Sequence, residues 1–574
     1  MLLRHSCHGF TPVARKQLLR PHTPQWPRVL VDRIGPRLYS THSDRNPDIA
    51  ILGAGISGLA SAYYLLRDHP NAKITVYEAS DRLGGWLQSH RAPVRDGSVL
   101  FEGALRTIRP AVNGALTLQL IEDLDLATDT IFTKSTAPAA RNRYIYYPDH
   151  LVRLPHPSFG IFNILYTIAT EKALAGVIPG VLGEPFRDPR DEKMSDESIG
   201  EFFSRRFNKS IVDRLASAVI HGIYAGDIWQ LSAKSLFPRL WRDEAVESSI
   251  VTGMVRGRAE GIPMTEQDAD FYMNLKKMQW DPAMKRVIDM TSVFTFKDGS
   301  QMLADRLAEH LMGSGQVTFA MESPVHAISA LKGQDLVEVR TKSAAGPSRT
   351  HTHVVSALSP AHLNKVWAGS NALVPHIPTV NVMTVNLYFR TPNLHPDGFG
   401  YLIPQATPFE QNPERALGVV FDTAYAPDPA EAQSALRTKL TVMLGGHWWD
   451  GWSSFPDEQE GLALAKSLLE RHLGIKEEPE AWRVNMQKDC IPQYVVGHSA
   501  KLKEAQNNIS REFSGRLKVT GNWIAGVGVN DCIRNAYELS RSFNKGGTGL
   551  EQVDAPFTSR IRPVRAGEKH GSES

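Results

Sequence analysis

Cysteine is scarce in this 574-residue chain: Cys7, Cys490 and Cys532 show no metal spacing and are too few for a disulfide framework. There is no uncharged apolar run of 18 or more residues, so no spanning helix is expected. Net charge is small as well. With 64 Lys and Arg against 61 Asp and Glu, a balance of +3 argues against a nucleic-acid surface. No internal repeat, Ser-His-Asp triad, paired carboxylate or metal cluster stands out. What remains is an ordinary globular composition, 42% hydrophobic and 22% charged, long enough for two or three domains.

Acid is nearly absent from the first forty residues, which hold seven Arg or Lys and one acid, Asp32. Residues 1–43 therefore read as a mitochondrial presequence, with Arg37-Leu38-Tyr39-Ser40 resembling a matrix processing site. The plainer reading is a disordered basic tail without an address. A secretory signal fits poorly, since no apolar core follows the first charges. Residues 554–574 are polar and basic and are expected to be disordered. Residues 158–182, "SFGIFNILYTIATEKALAGVIPGVL", form the most apolar stretch. They read either as a buried core helix or as an interfacial, monotopic surface.

The first clear chemistry lies in "DIAILGAGISGLASAYYLLRDHPNAKITVYEAS", beginning at Asp48. An apolar run to Leu52 predicts a buried strand. Gly53, Gly55 and Gly58 then supply G-x-G-x-x-G, with Ala54, Ile56 and Ser57 between them. Those glycines allow a tight turn, close approach of backbone to a pyrophosphate, and packing of the helix from Ile56 onto the sheet. The helix directs free N–H groups at the phosphates. A second strand ends at Glu78, placed to accept from a ribose, and an acid there argues against an NADP 2′-phosphate. The bland alternative is a glycine turn with a solvated Glu78. The motif alone does not separate a flavin from a nicotinamide.

The following residues do separate them. "ASDRLGGW" places Ala79, Arg82, Gly84, Gly85 and Trp86 in a second glycine turn. It resembles the Glu-x-x-x-Arg-x-Gly-Gly signature of the amine-oxidase-like flavoproteins. Residues 101–110, "FEGALRTIRP", and residues 519–533, "VTGNWIAGVGVNDCI", complete that pattern. With "RNRYIYY", "IYAGDIWQLS", "GFGYLIP" and "CIPQY", the chain from about residue 47 to 545 is similar to the mitochondrial protoporphyrinogen oxidases. Ala104-Leu105 departs from the Gly-Pro more usual in that family.

The resemblance implies FAD, with further contacts at Gly103, Ala104, Leu105, Arg106, Val325, Asn522, Val527, Gly528 and Val529. No Cys or His lies in an obvious flavin-linking motif, so the FAD is expected to be non-covalent. The implied substrate is protoporphyrinogen IX, with dioxygen as oxidant and hydrogen peroxide as by-product. Its flexible tetrapyrrole needs an apolar slot and a cation for a propionate. The family's propionate-binding position falls on Arg143, with Gly398 and Leu402 on the slot wall and Arg141 expected to share a strand face with Arg143. A surface arginine is the alternative. A family aromatic position falls on or beside Ala426, next to Tyr425, and no role is carried over there. The resemblance makes the flavin N5 the hydride acceptor, and no general base is assigned because the sequence supplies no argument for one. Contact with the inner mitochondrial membrane is also implied, and the family leaves room for a homodimer and handover of product to ferrochelatase. A different flavin amine oxidase or desaturase is the competing function.

The expected fold is α/β. A discontinuous, Rossmann-like FAD domain spans residues 47–110, 290–355 and 515–550. A mainly helical insert, 145–285, carries the candidate membrane face, and a mixed α+β substrate domain spans 355–515. Residues 198–224 and 298–311 show helical apolar spacing, and 379–389 and 437–446 read as strands.

Overall fold

In the strand β1 (Asp48–Leu52), Ile49 and Ile51 join one apolar core while Ala50 and Leu52 join another. That period of two makes it the centre of a helix–sheet–helix sandwich. The structure is a computed structural model, and it describes residues 46–104, 106–331, 333–342, 348–425 and 437–561. β1 leads into the helix α1 (Ile56–Asp68) and then β2 (Lys73–Tyr77). The parallel five-stranded sheet runs Val317–Ala320, β2, β1, His353–Ser356, Leu517–Val519. Register is set by pairs such as Ile49 with Ile74 and with His353. On one side, α1 packs with the helices Gln301–Gly313 and Val529–Arg541. Each fully buried Ile or Leu there contributes about 1.5–3 kcal/mol over exposure.

The opposite face of that sheet is covered by Leu502, Ala505, Ile509 and Phe513 of the helix His498–Phe513. This helix therefore packs on the nucleotide sheet, not with the substrate sheet to which its position before residue 515 had assigned it. Its apolar spacing is equally compatible with either sheet, and only tertiary contact decides.

The second sheet has seven strands in the order Ala481–Pro492, Thr379–Phe389, Thr438–Gly445, Ala416–Phe421, Gly400–Leu402, Tyr144–Tyr146, Leu151–Arg153. The two strands expected from residues 379–389 and 437–446 are its second and third members, and Val385 pairs with Val442 and Val484. The last two strands correct the helical insert: residues 145–153 belong to this sheet, joined in parallel through Tyr401–Tyr144. From Ile161 to Met290 the described chain is mainly helical, with a short strand Ile262–Thr265. Within it, Glu184 and Arg206 are both fully buried and paired, and Glu184 also accepts from the amides of Ile250 and Val251 at 2.8 and 3.1 Å. Neither charge could be buried alone without a large penalty.

The tail departs from expectation in part. Phe557–Ile561 is a strand, antiparallel to Ile262–Thr265, whereas 562–574 lie outside the described residues, as do 1–43.

The helix Ile161–Thr170 buries none of its residues, and the helical segments from Ile161 to Phe186 leave Phe162 and Phe186 86% and 89% exposed. Leu165, Tyr166 and Leu182 are exposed too, so the core-helix reading of residues 158–182 is set aside. Among the described residues no single helix is long and apolar enough to cross a membrane.

Candidate functional site

The glycines after β1 act through space they leave empty. Gly53 has φ +94°, and its N–H donates to Tyr77 O at 2.8 Å. A Cβ on Gly58 would fall 2.0 Å from Gly53 O, so only glycine lets α1 start this close to the strand. Gly55, the N-cap of α1, provides no side-chain cap, and the first turn with Ile56 and Ser57 contains no acid. Its leading amides are thus donors in need of an anion.

The second glycine turn lies against the first. Gly84 N donates to Ala54 O at 2.9 Å, and a Cβ on Gly85 (φ +59°) would come 3.0 Å from Gly55 Cα. Arg82 folds back over this turn and onto the helix Gln301–Gly313. It donates to Leu83 O at 3.0 Å, to Gly85 O and to Gln301, bracing the loop. Ala79 and Trp86 are exposed beside it. Glu78 accepts from Ala54 N at 2.8 Å and Ser80 N at 3.0 Å, which holds its carboxylate beside the first glycine turn. Val325 begins the strand Val325–Leu331 two residues after Ser323, whose N–H donates to Glu78 O at 2.8 Å.

The C-terminal glycine turn closes onto the same region. Tyr494 OH donates to Asn522 O at 2.8 Å and accepts from Gly526 N at 2.9 Å. Val527 and Gly528 lead into the helix Val529–Arg541, where Gly528 N donates to Asp531 at 3.2 Å. Burial pushes the Asp531 carboxyl up, against the hydrogen bond from Asn113. Gly103 O accepts from Thr384 Oγ1 at 2.8 Å, tying the third motif to the seven-stranded sheet. The first two glycine turns thus meet, Gly103 N donates to Gln88 O at 2.8 Å beside the second, and the helix after the fourth piece packs on α1; the uncapped helix end and the Cβ-free contact fit a pyrophosphate. Leu105 lies outside the described residues.

Arg106, expected at the cofactor, lies among protein groups. Its nearly buried guanidinium donates to Ala104 O at 3.0 Å and faces Asp422 at 3.6 Å, so the side chain is turned into the protein. Its Nε and Nη2 find no hydrogen-bond partner among the described residues, so the guanidinium keeps unsatisfied donors. Nearby, burial pushes Glu102 up to about 7 against hydrogen bonds from Ser89 and Ser300.

Arg143 is half-buried, its guanidinium carbon 4.8 Å from the Phe399 ring centre, and it forms no ion pair among the described residues. Burial, with Arg109 nearby, pushes its pKa below the usual arginine range. It sits just before the strand Tyr144–Tyr146, with its carbonyl accepting from Leu154 N at 2.8 Å. Arg141 ends a helical turn, Pro138–Arg141, and does not share a strand face with it. Leu402 packs against Gly222, where a Cβ would lie 2.9 Å from its methyls. Val219 and Ile223 occupy the same helix face as Gly222 and are exposed, extending an apolar wall from Leu402. Gly398 serves differently: a Cβ there would strike the Tyr144 ring at 2.6 Å, so the glycine admits Tyr144 and not a ligand.

Sequence reasoning missed Phe399, Val219 and Ile223. Phe399 stood inside the quoted "GFGYLIP", and an aromatic beside a slot glycine was the available signal. A surface groove of about 810 Å³ around Trp452 and Phe455 contains none of the glycine turns or Arg143, and it is not the site. Among the described residues no group of three His, Cys, Asp or Glu is placed to hold a metal.

Residues 56–541 match the family described as flavin containing amine oxidoreductase. The chain is 34% identical over 501 residues to the protoporphyrinogen oxidase of Schizosaccharomyces pombe, covering 86% of this chain and 98% of that one. To the human protoporphyrinogen oxidase it is 30% identical over 510 residues, again covering 86% and 98%. A solved structure from Exiguobacterium sp. 255-15, a proposed protoporphyrinogen oxidase, superposes with TM-score 0.66 at 21% identity, covering 88% of this chain and 100% of that one. At that identity the superposition speaks for the fold.

Proposed function

Because this chain belongs to the flavin-containing amine oxidoreductases, and within them to the protoporphyrinogen oxidases, we propose that it oxidises protoporphyrinogen IX to protoporphyrin IX in haem synthesis. FAD is its cofactor; held by the glycine turns, it would supply a hydride acceptor that dioxygen could reoxidise with formation of hydrogen peroxide. The glycine turns and Glu78 hold the dinucleotide. Arg143 grips a propionate with two parallel N–H donors, and Phe399 and Leu402 line the macrocycle's slot.

The observation that carries this reading is Arg143 itself: a half-buried guanidinium on an aromatic ring, without an acidic partner among the described residues. Such a group calls for an anionic, largely apolar ligand. It also weighs against the competing amine oxidase, since an amine arrives as a cation and would meet Arg143 and Arg109. The test is anaerobic addition of protoporphyrinogen IX to the purified holoprotein. Bleaching of the flavin bands, with peroxide formed on admitting air, is expected. A flavin reduced by amines and untouched by the porphyrinogen would overturn the assignment.

Exposure of Phe162, Leu165, Tyr166, Leu182 and Phe186 supports a monotopic contact with a membrane. The acid-poor residues 1–43 support a mitochondrial address, with the inner membrane as the proposed surface. N-terminal sequencing of protein from its native cell should begin near or after Ser40; intact Met1 on purified organelles would contradict this.

A further inference from the structure

The wall behind the carboxylate receptor is anchored by a series of buried contacts. Phe399 stacks on Tyr425, ring centres 5.3 Å apart and planes inclined by 27°. Tyr425 OH donates to Asp422 Oδ1 at 2.5 Å, and Asp422 Oδ2 accepts from Thr441 Oγ1 at 2.5 Å. Arg106 faces Asp422 at 3.6 Å, and Thr133 Oγ1 holds the Tyr425 carbonyl at 2.8 Å. An unbroken series therefore links the third cofactor motif to Arg143: Arg106, Asp422, Tyr425, Phe399, Arg143.

A phenylalanine at the edge of an open slot is fixed by packing alone, because it has no polar handle. Phe399 is only half-buried, whereas Tyr425 behind it is fully enclosed and tethered at both its hydroxyl and its backbone. Burial, with Asp422 alongside, pushes the Tyr425 hydroxyl well above its usual range, so it remains a donor. Asp422 is buried, its two oxygens accept from Tyr425 and Thr441, and Arg106 lies 3.6 Å away.

We propose that Asp422 and Tyr425 are positioning residues for carboxylate recognition, setting the plane of Phe399 and through it the direction in which Arg143 presents its guanidinium. The proposal rests on the reading of Arg143 as the carboxylate receptor. A guanidinium on an aromatic face is oriented by the ring, and bidentate capture tolerates little misalignment.

The experiment compares steady-state kinetics on protoporphyrinogen IX and its dimethyl ester for the holoprotein of wild type, Tyr425→Phe, Arg143→Ala and the double variant. Tyr425→Phe keeps the ring and the backbone contact with Thr133 and removes only the hydroxyl tether. The free-acid preference, as a ratio of kcat/KM values, is expected to fall about threefold to tenfold, mainly through KM. FAD content and Tm should stay near wild type. In the Arg143→Ala background the same change should leave the ratio where Arg143→Ala put it. Asp422→Asn, which keeps an acceptor for the hydroxyl, should retain more of the preference than Asp422→Ala. Equal losses on acid and ester, or a full additional loss in the double variant, would overturn the proposal. If Arg143→Ala discriminates acid from ester and Tyr425→Phe does not, the positioning role alone falls. If Arg143→Ala fails to discriminate, the reading of Arg143 falls and takes this one with it.

Discussion

The imidazoles of His221 and His447 meet Nε2 to Nε2 at 2.9 Å. His221 donates from Nδ1 to Ile403 O at 2.6 Å, and Gln405 Nε2 lies 3.1 Å from His447 Nε2. The pair thus ties the slot helix Ser217–Tyr224 to the residue after Leu402. Burial, with His447 opposite, pushes His221 down to about 3, and burial pushes His447 to about 4 against Asp227 and with Arg415.

Both folded-state values lie below the ordinary 6.5, so the stability contributed by the neutral pair is present above that pH. It is lost as pH falls towards 4 and then 3, by about 3 kcal/mol or more across the window. Urea midpoints measured from pH 7 down to 4 should fall, and His447→Gln should flatten that slope. An unchanged slope in the variant would show that the pair does not govern acid sensitivity.

The second prediction concerns how FAD is held. Burial pushes the thiols of Cys490 and Cys532 up to about 12, so neither is a ready thiolate for linkage. Acid denaturation should release the whole flavin to the supernatant. Flavin that stays with the precipitated chain would contradict non-covalent binding.

The exposed apolar side chains between Ile161 and Phe186 allow a third. Phe162→Asp with Phe186→Asp should shift the protein from the membrane pellet to the supernatant after gentle lysis. Both side chains are nearly free of protein contact, so Tm should move little and FAD content should hold. A large drop in Tm would mean that these residues are structural.

The parts legible in the sequence are those whose signal is local. Gly53, Gly55, Gly58 and Glu78 lie within one strand–helix–strand unit, and their roles follow from turn sterics at short range. The reach of Arg106 was not legible, because its partner Asp422 is more than three hundred positions away on the second sheet. Likewise, nothing in "FDTAY" announces that Tyr425 will back Phe399; a turn between strands decides it. Residues 158–182 have a composition suited to core and interface alike, and only their exposure separates the two. The strand Phe557–Ile561 escaped notice because it is short, partly charged and paired only with an equally short edge.

The account depends most on Arg143 as the receptor for a propionate, and one comparison tests it directly. Arg143→Ala removes a charge-assisted contact of about 1.5–3 kcal/mol, so kcat/KM on protoporphyrinogen IX should fall roughly tenfold to a hundredfold. FAD content should stay near wild type, since the side chain meets Phe399 and none of the glycine turns. On the dimethyl ester, wild type and variant should be nearly alike, because neither has a carboxylate to bind. Equal loss on acid and ester would make Arg143 structural and contradict the assignment of this site to a dicarboxylic tetrapyrrole.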